Sequence, residues 1–132
     1  MDITLPGGLR VEVRYKGYAI MTDQPREAGG DGSAPSPFDL FIASIGACAG
    51  YYALDFCRAR NIKTDGMTLK LDTDYNRQER RVEKVAIAIR LPAGFPPQYH
   101  EAIVKAVESC AVKKHIQNPP KFQVDALAEG IN

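Results

Sequence analysis

Charge of one sign is scarce in this 132-residue chain: 17 Lys and Arg stand against 16 Asp and Glu, a formal net charge of +1. Such a balance leaves no electrostatic footprint for nucleic acid or an acidic membrane surface. The basic residues are scattered, and Tyr and Phe are not interleaved with basic runs. Cysteine is sparse too, and its number, three, is odd. The N-terminus, MDITLPGGLR, has no apolar stretch behind a basic start, so no secretory leader is expected. Together these features exclude a structural disulfide framework and point to a reducing, cytoplasmic setting. There a disulfide, if one forms, is transient and catalytic or sensing. A membrane crossing needs about 20 consecutive apolar residues. The uncharged run 40–54 is shorter and closes on Asp55, Arg58 and Arg60, so it reads as a core helix. Internal repeats and low-complexity tracts are absent, and the length fits one domain, 1–132, able to bury most of its apolar surface.

Several catalytic signatures are missing as well. Cys48, Cys110, His100 and His115 are metal-ligand types, but no pair has the spacing CxxC or HxxxH, so no metal is expected. A Ser-His-Asp hydrolase lacks its GxSxG, and Ser44 lies inside the apolar run. Gly29-Gly30-Asp31-Gly32 lacks the GK[ST] ending of a phosphate loop and reads as a flexible loop.

What is present is a thiol in the middle of an uncharged helix. Residues 40–54 read LFIASIGACAGYYAL, with Cys48 near the centre. Ser36 suits the N-cap, Pro37 the first helical position, and Asp39 the exposed N–H groups of the first turn. The helix is expected over about 37–60, ending near Asn61, which tolerates the left-handed conformation. It is apolar on nearly every side, so it must be covered all round. One small sheet covers a single face, and a second subunit is the economical cover for the rest.

Around it, strict alternation predicts strands at 2–5, 9–15, 18–22, 67–75 and 80–91. Val11 and Val13 alternate with charged residues, giving one buried and one wet face. Lys16-Gly17 reads as a two-residue hairpin turn. The segment 23–37 is a long Gly-, Pro- and Ser-rich loop, of the kind often tied to function. A helix is expected at 97–108, a shorter one at 110–117 capped by Ser109, and a last strand at 121–127. Strands and helices do not alternate as βαβ units, so the class is α+β with antiparallel sheet.

Cys48 has two readings. One is a nucleophilic thiol in a tight apolar pocket, given space by Gly46 and Gly50, each costing about 1 kcal/mol in a helix. The other is a small core hydrophobe, the commonest fate of free cysteine. Burial raises a thiol's pKa and only the thiolate attacks, so a working Cys48 needs a cation: Arg10, Arg14 or Arg26. Cys110 lies at a helix start, where N–H groups and the helix dipole favour a thiolate, with Lys113 and Lys114 beyond. It suits a resolving or exchanging thiol, or a half-buried helix-start residue. Cys57 follows Cys48 by nine residues, which places it on the opposite helix face and in the core.

Taken together, the loop PREAGGDGSAPSP, the helix FDLFIASIGACAGYYALDF and the segment ESCAVKKHI resemble the OsmC/Ohr family of osmotically inducible and organic hydroperoxide resistance proteins, along nearly the whole chain. The likeness is greater to the broader OsmC-like branch. The resemblance implies an intertwined homodimer, with the long helices of both subunits packed between two sheets. It implies a peroxidase of the oxidative stress response, working without metal, haem or flavin. Cys48 would attack an organic hydroperoxide, Cys110 would resolve the sulfenic acid as a disulfide, and a dithiol reductant would restore both thiols. Substrate tails would lie on Phe38, Phe41, Ile45 and Tyr51. Family peroxidases hold the thiolate with a loop Arg, which maps best to Arg26, with Arg10 as the fallback. They orient that Arg with a Glu ten residues before the helix cysteine, where this chain has Phe38. That departure opens two alternatives: a non-catalytic protein binding a small apolar ligand, and a redox sensor oxidised stoichiometrically.

Overall fold

In a computed structural model, which describes residues 1–128, the chain runs β1 (Asp2–Gly7), β2 (Arg10–Tyr15), β3 (Tyr18–Thr22), α1 (Pro37–Arg58), β4 (Thr68–Asn76), β5 (Arg81–Arg90), α2 (His100–Glu108) and α3 (Ala111–Gln117). One-turn 3-10 segments lie at Arg26–Ala28 and Pro97–Tyr99. The class is α+β, as the pattern predicts. Of the single unit expected over 1–132, the last four residues lie outside the described ones.

Helix α1 begins as its sequence dictates. Ser36 Oγ accepts from the Asp39 N–H at 3.1 Å, and Asp39 Oδ2 accepts from the Ser36 N–H at 2.9 Å, a reciprocal capping box. Donation from the Ser36 N–H, with a smaller part from the Ser36 hydroxyl, favours the charged carboxylate and holds Asp39 below its usual pKa. At the other end, Asn61 takes a φ of 55° and turns the chain out of the helix. Within the chain α1 is covered on one side only. Ile45, Ala49, Ala53, Phe56 and Cys57 are buried, whereas Phe38, Phe41, Tyr51 and Leu54 are exposed. The length and composition of α1 would suffice to cross a membrane. Its buried face, however, is part of the protein's own core.

That core lies between α1, α2 and the β4–β5 hairpin. Ala49, Ala53, Phe56 and Cys57 of α1 meet Ile103 and Val107 of α2 and Phe95, with Leu69, Ile87 and Ile89 of the hairpin packed alongside. Arg60 lies flat on Phe56, its guanidinium carbon 3.8 Å from the ring centroid, and donates to the Phe56 carbonyl at 3.1 Å. The expected helix at 97–108 starts with a 3-10 turn, in which the Tyr99 N–H donates to the Pro96 carbonyl at 3.0 Å.

Strands β1, β2 and β3 form a separate antiparallel meander. Lys16 and Gly17 both have positive φ (49° and 81°), the mark of a type I′ turn, and Tyr15 pairs with Tyr18 across it. Ile3, Val13 and Ile20 are cross-strand partners and share one face. The expected burial of that face is not met within one chain: Ile3 and Ile20 are exposed and Tyr18 is 73% accessible.

Two further expectations fail. Cys110, not Ser109, is the N-cap of α3, since Ser109 turns its hydroxyl back to the Lys105 carbonyl (3.1 Å). Residues 121–127 form no strand. They alternate correctly, but nothing pairs with them, and Phe122 is 88% exposed.

Candidate functional site

The three cysteines are free, and their surroundings differ. Cys57 is fully buried, and burial pushes its thiol pKa up, partly offset by the charge of Arg60. It belongs to the core, as its helix position predicts. Cys48 is half-buried, at the margin between the covered and the open side of α1. Gly46 has Leu71 beside it at an ordinary 3.7 Å, and Gly50 faces open space. Neither glycine is required by a close approach within this chain.

Cys110 is 2% exposed, and its Sγ accepts the Lys113 N–H at 3.3 Å. Its sulfur therefore satisfies a helix-start donor that serine more often takes. Cys110 lines a groove of about 610 Å³ between β5, α2 and α3, walled by aliphatic residues such as Val85, Ile89 and Ile116. Ile45, one turn before Cys48, lines the same groove, whereas Cys48 itself does not. Of the expected tail-binding residues, only Ile45 is enclosed. Phe38 and Phe41 stack on each other with ring centroids 5.5 Å apart on the open side of α1.

The candidate cations lie elsewhere. Arg14 is engaged by Glu12 (2.7 Å), whose hydrogen bond and charge raise its pKa further. Arg10 donates from Nε to the Gly7 carbonyl at 3.2 Å. Arg26 sits in the 3-10 turn of the loop between β3 and α1 and donates from Nε to the Asp31 carbonyl at 3.3 Å. Among the described residues this is the only hydrogen bond of its guanidinium, so the terminal nitrogens have no partner there. The loop closes onto residues 33–35, just ahead of the N-cap. Cys48 lies roughly 18 Å further along the helix axis, twelve residues at a rise of about 1.5 Å. The one hydrogen bond of the Arg26 guanidinium among the described residues goes to Asp31, not to Cys48.

The loop itself is not the flexible segment its glycines suggest. Asp23 is fully buried and gathers hydrogen bonds from the Gln24 N–H (2.7 Å), the Ser33 N–H (3.0 Å) and the Ser33 hydroxyl (2.6 Å). These hold its pKa down at about 2, the Ser33 hydroxyl contributing most. Composition hides this clasp, because its partners are ten residues apart. The signal that could have found it is the lone carboxylate directly after an alternating strand. Among the described residues, no three His, Cys, Asp or Glu side chains lie close enough to hold a metal ion.

A sequence profile of OsmC-like proteins matches residues 30–125, which include Gly30 and Gly32 of the loop, helix α1 and both candidate redox cysteines. The chain belongs to the OsmC-like family. Solved structures agree with this OsmC-like fold. A Psychrobacter arcticus protein assigned to osmotic stress induction and detoxification response is 27% identical, with a TM-score of 0.74 over 86% of this chain and 84% of that one. An organic hydroperoxide resistance protein, OsmC, from Legionella pneumophila is 23% identical, with a TM-score of 0.58 over 88% and 86%. An OsmC-like protein from Mycoplasma pneumoniae is 12% identical, with a TM-score of 0.62 over 83% and 80%. Among curated proteins, none matches the chain.

Proposed function

We propose that this OsmC-like protein is a homodimeric, thiol-dependent peroxidase of organic hydroperoxides in a reducing, cytoplasmic setting. The observation that carries this reading is the groove lined by Cys110 and by Ile45, one turn before Cys48 on α1. The Cys48 thiolate attacks the terminal peroxide oxygen, the O–O bond breaks, and the alkoxide leaves as the alcohol after taking a proton. Cys48 is then a sulfenic acid, two electrons more oxidised. Cys110 attacks that sulfur, a disulfide forms, and water leaves. A dithiol reduces the disulfide by exchange and is itself oxidised to a disulfide. Support for the hydroperoxide substrate comes from the family and from the name of the Legionella pneumophila protein.

The dimer is supported by the open faces of α1 and of the β1–β3 sheet, each apolar and uncovered within one chain. It also supplies a cation. Arg26 is held by Asp31 of its own loop, and in this reading it serves Cys48 of the other subunit.

The test follows cumene hydroperoxide consumption with dithiothreitol. Wild type is expected to turn over, Cys48→Ser to be inactive, and Cys110→Ser to stall after about one turnover. Equal consumption by wild type and Cys48→Ser would overturn the peroxidase reading. Co-refolded Arg26→Ala and Cys48→Ser subunits are expected to recover activity that neither has alone. No recovery would overturn the cross-subunit placement of Arg26.

A second reading rests on Phe38, which stands where the family Glu is expected: the groove then binds a small apolar ligand without chemistry. Slow alkylation of Cys48 at pH near 7, with saturable ligand binding by Cys48→Ser, would favour it.

A further inference from the structure

Thr22 and Asp23 are the buried polar residues among those described, and they stand side by side at the end of β3. Thr22 has an ordinary task, since its hydroxyl donates to the Val11 carbonyl across the strand pair at 3.2 Å. Asp23 carries a full charge with no cation beside it. A buried carboxylate is costly unless its lone pairs are satisfied. Here the donors are all neutral and belong to Gln24 and Ser33.

The frame around it is equally constrained. The Gln24 carbonyl accepts from the Gly32 N–H at 3.0 Å, and the Pro25 carbonyl accepts from the Gly30 N–H at 3.1 Å. A Cβ on Gly30 would lie 2.0 Å from the Gln24 carbonyl oxygen, so only glycine fits. The Asp23 N–H reaches the Pro35 carbonyl at 3.2 Å, which closes the loop on the residue before the α1 N-cap. Arg26 hangs inside this frame. Its Nε donates to the carbonyl of Asp31, two residues before Ser33.

We propose that Asp23 is the positioning residue for Arg26: by clasping Gln24 and Ser33, at the two ends of the turn that carries Asp31, it fixes the carbonyl that aims the guanidinium. This rests on the reading of Arg26 as the cation of Cys48. The clasp uses both carboxylate oxygens as acceptors, so an amide cannot reproduce it. In Asp23→Asn one acceptor becomes a donor pointed at the donors of Ser33 or Gln24.

The test is the pH dependence of iodoacetamide alkylation of Cys48, resolved by mass spectrometry on the full-length protein. Variants are Arg26→Ala, Asp23→Asn, Ser33→Ala and the double variant Asp23→Asn/Arg26→Ala, each with its thermal midpoint recorded. Arg26→Ala is expected to slow alkylation at pH 7 by about tenfold, a midpoint raised by about one unit. Asp23→Asn and Ser33→Ala should slow it by about threefold or more in the same direction. The double variant should be no slower than Arg26→Ala alone, since two residues acting through one group do not add. A purely structural clasp would lower the thermal midpoint and leave the alkylation profile in place, which would overturn the proposal, as would additive slowing in the double variant. Should Asp23→Asn fail to fold, the milder Ser33→Ala decides by the same criterion. If Arg26→Ala itself leaves the profile unmoved, the reading of Arg26 falls first and the positioning role falls with it.

Discussion

The two halves of this chain solve the burial problem in opposite ways. From α1 to α3 the apolar residues close on one another, with Ala49, Ala53, Phe56, Cys57, Ile103 and Val107 buried in a single cluster. The β1–β3 meander has correct alternation, a correct turn and a regular register, yet its apolar face meets nothing within the chain. Local rules are satisfied in both halves. Only in the first does the chain supply its own cover. In the proposed dimer the meander is the part that takes its cover from the other subunit, and the helical half is the part that closes on itself.

This contrast can be tested by substitution. Ile103→Ala, at a fully buried position in α2, should destabilise by about 2–5 kcal/mol in urea unfolding, through lost transfer energy and the cavity left behind. A cost under about 1 kcal/mol would deny the helical half its core. Next comes the meander face. Ile3→Asp/Ile20→Asp should convert a dimer into monomers by light scattering, and the wild-type thermal midpoint should fall on dilution. A midpoint independent of concentration would leave the meander standing alone. Ser36→Ala, which opens the capping box, should cost about 1 kcal/mol.

The smallest effect concerns acid. Asp23 is held at about 2 against a usual 3.8, so its folded pKa is depressed. Its contribution is complete above the usual value and is lost as pH falls from about 4 through about 2. Wild type should lose stability across that window, and Asp23→Asn should show a shallower loss there. Parallel acid profiles for the two proteins would deny the carboxylate its part in the loop.

Much of the architecture was readable from the residues. Ser36, Pro37 and Asp39 announced the start of α1, Lys16-Gly17 the hairpin, Asn61 the left-handed exit, and alternation gave five strands. These are local signals, each complete within a few residues. The failures all need a distant partner. Residues 121–127 alternate like a strand, but a strand forms only beside another, and that neighbour is not local. Ser109 has the better capping propensity, yet its hydroxyl bonds the Lys105 carbonyl and the buried Cys110 takes the cap with its sulfur. The loop was legible as long and glycine-rich, while its order comes from a carboxylate bonded to a serine ten residues on. For the site, the candidate thiols could be named from the sequence. Their placement could not, because Cys48 sits at the margin of α1, Cys110 in the groove and Arg26 at the far end of the loop.

The sealed position of Cys57 has a practical outcome. Its sulfur is shut inside the helical half with a raised pKa, so a thiol reagent reaches it only when that half opens as a whole. Labelling at Cys57 thus clocks global opening, inside the same molecule and in the same mass spectrum that reports on the other two sulfurs.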